Sequence, residues 1–427
     1  MASEPTKVIA GIDTHADTHH LAVINEHGKP LGDREFLSVG SGYRKILDFI
    51  TGYGTVTAVG VEGTGSYGAE LTRTLRAAGL TVLEVNRPNR AERRLKGKSD
   101  PLDAYEAAKS VLDGRTTSVP KAKDGPVECL RILRAGRASA LKARTAAINQ
   151  IKGLLVSAPD KLRAKYRALA TSALITALQR TRPSGHAADP EYVTLVTLKA
   201  LATCCQALSA EIAAADAALQ EILDAYAPML CDLPGVGTDV ASQLLVTVGD
   251  NPDRVRNEAQ FASLVGVAPV PASSGKTTRH RLSRGGDRNA NHALYQVVLV
   301  RMASCQRTKE YVAKRTAEGK SKREIMRCLK RYAAREIYRQ ITNPQPAPDN
   351  SDLRQTRTTL GVTISTAARE LGQWPSKISL LERGLLRNDA LAANYRQWLS
   401  LILKATSDQR SDVLSACVRA TVDNVPR

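Results

Sequence analysis

Short apolar runs alternate with helical patterns from Lys7 to Val85, and this alternation restricts the first part of the chain to a layered α/β fold. The runs KVIAGID, HHLAVIN, TVTAVGVE and LTVLEV are typical of strands, and a further one lies near REFLSV. Helices are predicted across Tyr43 to Ile50 and Tyr67 to Ala78. Because the first runs follow one another closely, we expect the sheet to open with an antiparallel meander.

Four carboxylates occupy special positions in this region. Asp13 and Glu62 end apolar runs, and Asp100 and Asp103 lie three residues apart at a predicted helix start. Carboxylates that converge in one site repel each other unless a cation neutralises them, so the four predict a site for Mg²⁺. An ordinary helix start, capped by Ser99, would also explain the last two, but it leaves the first two unexplained.

The chain is strongly basic. Its 427 residues include 61 Lys and Arg against 42 Asp and Glu, a net charge of +19 with a pI near 9.7. A basic protein with a metal site suits a polyanionic substrate such as nucleic acid. The segment MASEPTK has no apolar signal, no uninterrupted apolar run reaches the length of a membrane span, and the seven cysteines form no CxxC pair. We therefore expect a cytoplasmic, nucleoid-associated protein that does not enter a membrane.

Changes in composition divide the chain into five predicted segments. An Ala/Leu/Arg-rich stretch after the α/β region predicts long helices, as a coiled-coil arm or as an ordinary bundle. The sequence LPGVG further on resembles the turn of a helix-hairpin-helix, and TNPQPAPDNSD reads as a linker. The predicted segments are 1–120 (α/β catalytic), 121–230 (helical), 231–341 (mostly α), 342–352 (linker) and 353–427 (a small all-α module).

A glycine-rich segment, Gly63 to Gly68, imitates a dinucleotide-binding fingerprint. The acid that would bind the ribose, Glu84, lies inside an apolar run instead of at its end, which argues against a nicotinamide enzyme. A basic cluster follows at once and is predicted to bind nucleic acid. Its members are Arg87, Arg90, Arg93, Arg94, Lys96 and Lys98.

Ser274, in PVPASSGK, is a candidate nucleophile. Taken alone, this Ser-Ser-Gly sequence is a flexible turn. The nearby cations favour phosphate binding, and they could neutralise the charge that develops when a hydroxyl attacks phosphorus. They are Lys276, Arg279, Arg281, Arg284 and Arg288. The neighbouring Ser273 leaves the nucleophile ambiguous by one residue.

Several motifs in order from Lys7 to Ile341 resemble the insertion-sequence one-ten (IS one-ten) transposases, the bridge-RNA-guided recombinases. They are GID, VEGTGSYG, KSDPLDA, LPGVG, FASLVGVAPVPASSGK and LSRGGDRNANHAL. The order of the opening elements also matches a ribonuclease H-like arrangement. One motif departs mildly from the family, because Leu282-Ser283-Arg284 stands where Ile-Ser-Lys is usual.

The resemblance implies a RuvC-like catalytic domain with a DEDD tetrad, carried here by Asp13, Glu62, Asp100 and Asp103, which binds Mg²⁺. It also implies a transposase domain whose serine links transiently to DNA. Ser274 matches that serine because the family's nucleophile directly precedes glycine. A noncoding bridge RNA would pair with donor and target DNA, and a tetramer would assemble an active site from different subunits.

The segment from Leu353 to about Leu403 resembles the helix-turn-helix of Cro and repressor proteins. Its third helix, from about Pro375 to Leu381, would enter the major groove. Ser376, Lys377 and Ser379 would then face DNA while Ile378 and Leu381 pack inward. A helical module for protein contacts is the alternative, and Trp374 could either cap the core or touch a phosphate.

Three functions compete at this point. The first is an RNA-guided recombinase that cuts and rejoins DNA through a phosphoserine. The second is a Holliday-junction nuclease that uses the same tetrad with water as the nucleophile. The third is a DNA-binding regulator with a vestigial catalytic domain.

Overall fold

The protein is described by a computed structural model over residues 6–85, 99–275, 280–283, 285–343, 350–383 and 388–404. The chain forms two compact units. The first comprises residues 1–129 with 248–256, and the second residues 130–247 with 257–427. A mixed sheet lies in the first unit and the second is mostly helical, as the sequence predicts.

The sheet of the first unit has five strands in the order β3-β2-β1-β4-β5. β1 pairs antiparallel with β2, and β2 antiparallel with β3, so the predicted meander is confirmed. β4 and β5 then continue the sheet in parallel with β1. The strands are Lys7–Thr14 (β1), Thr18–Asn25 (β2), Pro30–Leu37 (β3), Thr55–Glu62 (β4) and Val82–Val85 (β5).

Helices cover both faces of this sheet. Alternate residues of a strand point to opposite sides, so each strand can pack against helices on either face. The helices are Gly40–Thr51 (α1), Ala69–Ala77 (α2) and Asp100–Leu112 (α3). α1 and α2 share one core with the β1 side chains of Val8 and Ile12. Ile9 contributes to a second cluster on the other face, with Ala108 of α3. β1 is therefore buried on both faces, which explains its continuous apolar sequence.

Two glycines let α3 lie directly against the sheet. A Cβ on Gly11 would lie 2.1 Å from the carbonyl oxygen of Ala104 and 2.3 Å from the amide nitrogen of Ala108. A Cβ on Gly60 of β4 would lie 2.8 Å from the carbonyl oxygen of Ala107. Only residues without a side chain permit backbone atoms to come this close. The first turn of α3 is thereby held beside the end of β1.

The remaining helices begin in the Ala/Leu/Arg-rich stretch. They are Pro126–Ser157 (α4), Asp160–Tyr166 (α5), Thr171–Gln179 (α6), Pro190–Tyr226 (α7), Pro228–Cys231 (α8), Thr238–Val248 (α9), Glu258–Leu264 (α10), Arg288–Ser304 (α11), Gln306–Ala317 (α12) and Lys322–Thr342 (α13). A short break separates α4 from α5. Pro159 cannot continue a helix, so α4 ends at Ser157.

α4 to α7 share one hydrophobic core, which includes Ile151, Tyr166, Leu178 and Leu198. By length and composition alone, α7 could cross a membrane. One such helix is weak evidence, because an apolar helix of a soluble protein passes the same test. A salt bridge from Arg137 to Asp216 links α4 to α7.

The last described helices form a module with a core of its own. They are Ser351–Thr359 (α14), Ile364–Glu370 (α15), Pro375–Glu382 (α16) and Asp389–Lys404 (α17). Leu353, Ile378, Leu381 and Tyr395 are fully buried in it. Most of the predicted linker, residues 344–349, lies outside the described residues.

Gly11→Ala should destabilise the protein because the added methyl group meets the α3 backbone and not a flexible side chain. We expect a loss of about 3 kcal/mol or more in the free energy of unfolding, the upper range for overpacking. Urea denaturation followed by circular dichroism measures it. Gly40→Ala is the control, since no described atom lies within 4 Å of its added Cβ. Equal stability of the two variants would contradict the close contact.

Candidate metal centre

Asp13 and Glu62 lie at the same edge of the sheet because they end adjacent parallel strands. The parallel register of β1 and β4 pairs Ile12 with Val61, one residue before each acid. The two strand ends are also joined directly, since the Thr14 hydroxyl donates a hydrogen bond to the Glu62 carbonyl oxygen at 2.8 Å. Chain topology thus brings together two carboxylates that are separated by 48 residues of sequence.

α3 supplies the other two acids from its first turn. Asp100 and Asp103 occupy that turn, and the Asp103 amide donates to the Ser99 carbonyl oxygen at 3.0 Å. The Ser99 side chain makes no capping hydrogen bond. The helix dipole favours negative charge at this position. Because α3 lies against Gly11, its first turn comes next to Asp13.

Three of the acids, Asp13, Glu62 and Asp103, line one cavity of about 210 Å³ together with His15. Asp100 joins the group through His15. The Nε2 atom of His15 lies 3.2 Å from the Asp13 Oδ2 and 3.5 Å from the Asp100 Oδ1. All four carboxylates predicted from the sequence therefore belong to one connected cluster. Their catalytic and metal-binding roles stay a prediction.

Burial and mutual repulsion make this cluster electrostatically costly. Asp13 and Asp103 are only 7% and 3% exposed. Burial raises the pKa of the Asp13 carboxyl, Asp103 and Asp100 raise it further, and His15 acts in the opposite direction. A divalent cation would remove the repulsion, because it stabilises the ionised form of every nearby carboxylate.

His15 was not predicted as a site residue. It follows β1 directly, two residues after Asp13, so the alternation of an extended chain carries it to the same side as that acid. The sequence D-T-H at the end of an apolar strand is the signal that could have identified it. Among the described residues, His15 forms a group of potential metal ligands with Asp13 and Asp100.

The glycine-rich segment after β4 does not have the features of a dinucleotide site among the described residues. Glu84, which would have to bind a ribose, accepts a hydrogen bond from the Thr64 hydroxyl at 2.7 Å. It also lies 3.7 Å from the Arg254 guanidinium. Glu84 thus links the glycine-rich segment, through Thr64, to Arg254. The predicted basic cluster that follows, Arg87 to Lys98, lies outside the described residues.

Ser274 lies in the second unit, in the loop of a two-stranded ribbon. The ribbon pairs Pro269–Pro271 (β6) with His280–Leu282 (β7), and both Ser273 and Ser274 are exposed between them. Gly275 follows with a φ of +54°, a conformation that favours glycine. The loop therefore leaves the serine hydroxyl accessible to a large substrate.

The cations predicted around Ser274 are described only in part. Arg281 lies on β7 and Arg288 begins α11, and both are exposed. Lys276, Arg279 and Arg284 lie outside the described residues. Asp287 caps α11 by accepting from the amides of Asn289 and Ala290. Phosphate binding at this loop stays a prediction.

The predicted DNA-facing residues of the C-terminal module lie on α16. Ser376 is exposed, whereas Lys377 and Ser379 are partly buried. The Lys377 ammonium group donates to the Gln373 side chain. Ile378 and Leu381 pack inward, as expected.

Trp374, just before α16, is 80% exposed. A side chain so open to solvent cannot cover the module's core. The alternative in which it caps the core was wrong, and the other alternative, contact with a phosphate, stays a prediction.

Two family models match this chain. Residues 10–158 match the DEDD transposase model of IS110, and residues 227–313 match the transposase model of the IS116/IS110/IS902 family. The chain belongs to the IS110 family of transposases. It is therefore an enzyme that recombines DNA, as the resemblance to the IS one-ten proteins predicted, and it works in the cytoplasm, where that DNA is.

Two relatives match over most of their length. The uncharacterized 43.6 kDa protein of insertion element IS110 from Streptomyces coelicolor is 25% identical over 387 residues, which covers 79% of this chain and 94% of that protein. The uncharacterized 42 kDa protein of insertion element IS900 from Mycobacterium paratuberculosis is 24% identical over 374 residues, which covers 76% of this chain and 93% of that protein.

A DEDD transposase domain implies a divalent metal ion, and the residues of this transposase fit one. Carboxylate oxygens are the donors that hard divalent cations prefer, and three of the acids line one cavity. The imidazole of His15 adds a nitrogen donor. Asp13, Glu62, Asp100 and Asp103 are the carboxylates that would hold the ion.

Asp13→Asn keeps the shape of this side chain and removes its charge. Without metal, the variant should melt at or above the wild-type temperature, because repulsion by Asp100 and Asp103 is lost. Mg²⁺ at a hundred times its Kd should stabilise the wild type by about 2.7 kcal/mol and the variant much less. Thermal unfolding with and without Mg²⁺ measures both effects.

Asp48→Asn is the matched control for that experiment, since Asp48 is an exposed acid of α1. Its response to Mg²⁺ should equal that of the wild type. A full Mg²⁺ response in the Asp13 variant would show that the ion binds elsewhere.

Proposed function

We propose that the protein cuts and rejoins donor and target DNA strands through a phosphoserine intermediate, guided by a bridge RNA. Asp13, Glu62, Asp100 and Asp103 hold Mg²⁺, and Ser274 is the nucleophile. The observation that carries the proposal is the convergence of the four acids from β1, β4 and α3: three of them line one cavity, and Asp100 joins them through His15. Bound Mg²⁺ would supply charge neutralisation at the reacting phosphate.

The strand order supports a ribonuclease H-like, RuvC-like assignment for the first domain. An antiparallel meander followed by two parallel strands is the arrangement which the sequence led us to expect. In such a sheet the acids at the ends of β1 and β4 share an edge.

We keep the five predicted segments, 1–120, 121–230, 231–341, 342–352 and 353–427, as the proposed domain organisation.

The covalent step exchanges one phosphate ester for another. The Ser274 Oγ forms a bond to phosphorus while the bond from phosphorus to one deoxyribose oxygen breaks. The serine proton leaves to a base, and the released deoxyribose oxygen takes up a proton from solvent. A strand hydroxyl then attacks the phosphoserine, which restores the serine and closes the new strand. The number of ester bonds is conserved, so rejoining needs no external energy source.

The acids and the serine have separate tasks in this proposal. The carboxylates would hold the cation, which would neutralise charge at the reacting phosphate, and the exposed serine loop carries the nucleophile. Arg281 and Arg288, both exposed, would bind the phosphates of the same strand. The acids and the serine belong to different compact units. The resemblance to the IS one-ten transposases implies a tetramer that combines them from different subunits, and that assembly is part of the proposal.

Covalent capture tests the nucleophile. Wild-type protein, mixed with the RNA that co-purifies with it and end-labelled DNA of the element ends, should give an adduct that survives denaturing electrophoresis. Ser274→Ala should abolish the adduct, because the proposed attacking hydroxyl is removed, and Ser273→Ala should retain it. Asp13→Ala should abolish strand exchange.

Three other results would contradict parts of this proposal. An adduct that depends on Ser273 would move the nucleophile by one residue. Strand cleavage without any adduct in the wild type would favour a junction nuclease that uses water. Strand exchange at full rate without RNA would exclude guidance by a bridge RNA.

We also propose that residues 353–427 form a helix-turn-helix domain that binds DNA of the element. Support comes from α16, whose Ile378 and Leu381 are buried while its Ser376, and Trp374 just before it, face solvent. A helix with one buried and one open face can enter the major groove without unfolding its module.

Lys377→Ala with Ser379→Ala should weaken binding to DNA of the element ends or of the region upstream of the gene. Loss of base contacts costs about 1–3 kcal/mol each, which predicts at least a tenfold higher Kd. Fluorescence anisotropy measures it, and Lys404→Ala, an exposed lysine at the end of α17, is the control. Unchanged affinity for both DNAs would favour a module for protein contacts.

A further inference from the structure

His15 occupies a fixed position between two acids of the metal centre. Its backbone amide donates to the Thr18 carbonyl oxygen at 3.0 Å, which closes the turn between β1 and β2. The ring extends from this turn toward Asp13 and Asp100, with its Nε2 atom 3.2 Å and 3.5 Å from their carboxylate oxygens. The histidine backbone is thus anchored by the sheet, and its ring lies among the acids.

His15 lies near all four acids of the metal centre. His15 lines the cavity with Glu62 and Asp103, and it groups with Asp13 and Asp100 as a potential ligand. Ligand atoms of Asp13, His15 and Asp100 all lie within 4.8 Å of one another. Atoms that bind one cation at about 2.0–2.3 Å lie at most roughly 4.5 Å apart, so the spacing is close to that of a coordination shell.

We propose that His15 is a nitrogen ligand of the metal centre and that it makes the centre prefer Mn²⁺ to Mg²⁺. The inference rests on the proposed function, in which the carboxylates hold a divalent ion. The inference adds His15 as a fifth ligand beyond the four carboxylates, and it specifies which metal ion the centre prefers.

The chemistry of the donors supports this choice. Mg²⁺ is a hard cation that keeps oxygen ligands and releases its waters reluctantly. Imidazole nitrogen binds first-row transition metals better, and Mn²⁺ also accepts carboxylates. A neutral imidazole has a further advantage here, because it adds a donor without adding negative charge to a site that already holds four acids.

A different role is compatible with the same distances. A protonated His15 could act as a cation that holds Asp13 and Asp100 together before any metal arrives. That role involves no bond between nitrogen and the metal, so a spectroscopic signal from the nitrogen separates the two.

Electron spin echo spectroscopy of Mn²⁺ bound to the full-length protein gives that signal. Wild-type protein should show modulation from one ligand nitrogen, and His15→Ala should lose it while still binding Mn²⁺ through the carboxylates. His20→Ala is the matched control. His20 also pairs with an acid, Asp33, at 2.8 Å, but neither residue lines the cavity, so the modulation should persist.

Competition between the two metals measures the preference. Mn²⁺ binding, followed by its electron paramagnetic resonance signal, is titrated against Mg²⁺. His15→Ala should lower the ratio of Mn²⁺ to Mg²⁺ affinity roughly tenfold or more, the range seen when ligand surroundings are disturbed. Circular dichroism verifies that the variant is folded, which we expect because His15 is partly exposed.

The outcomes distinguish this inference from the proposed function. Mn²⁺ that binds without nitrogen modulation, or an unchanged affinity ratio in His15→Ala, would overturn ligation by His15 and leave the carboxylate centre intact. A wild type that binds neither Mn²⁺ nor Mg²⁺ would overturn both.

Discussion

The contact of α3 with β1 and β4 determines whether the acidic centre can exist. Gly11 and Gly60 remove the side chains that would hold a helix away from a sheet, so backbone meets backbone at this point. Helices normally lie on sheets at a distance set by interlocking side chains. Here the shorter distance brings the first turn of α3, with Asp100 and Asp103, to the strand end that carries Asp13. Two glycines therefore position the acids that are predicted to bind the metal ion.

The short distance between α3 and β1 also brings negatively charged carboxylates close together, so that they repel each other. Asp13 and Asp103 are buried near each other, and burial is the main reason why the pKa of Asp13 is raised. Several elements act against this repulsion: the α3 dipole favours its own two acids, and His15 lowers the cost for Asp13. None of these supplies the two positive charges of a divalent ion. The fold therefore holds its acids in an arrangement that a cation stabilises.

The sequence predicted those parts of the centre that depend on local pattern. Asp13 and Glu62 were found because they end apolar runs, and parallel pairing of those runs places both at one edge. Asp100 and Asp103 were found as a helix start, but their distance from Asp13 depends on Gly11, whose role appears only when α3 packs on the sheet. His15 was missed because one histidine after a strand has many ordinary explanations.

The C-terminal module shows how a short helix can be held rigidly without a large core. Arg357 of α14 makes two hydrogen bonds to the Glu382 carboxylate, at 2.7 Å and 3.0 Å, and a third to the Val362 carbonyl oxygen. The Tyr395 hydroxyl of α17 donates to the same carboxylate at 2.7 Å. All three side chains are buried, and a buried ion pair is stable only when its remaining polar atoms are satisfied in this way. Because Glu382 is the last residue of α16, the network fixes that helix from one end, while its other end, at Trp374 and Ser376, stays open to solvent. A helix anchored at one end and exposed at the other is suited to presenting its N-terminal residues to a ligand, as the proposed helix-turn-helix requires.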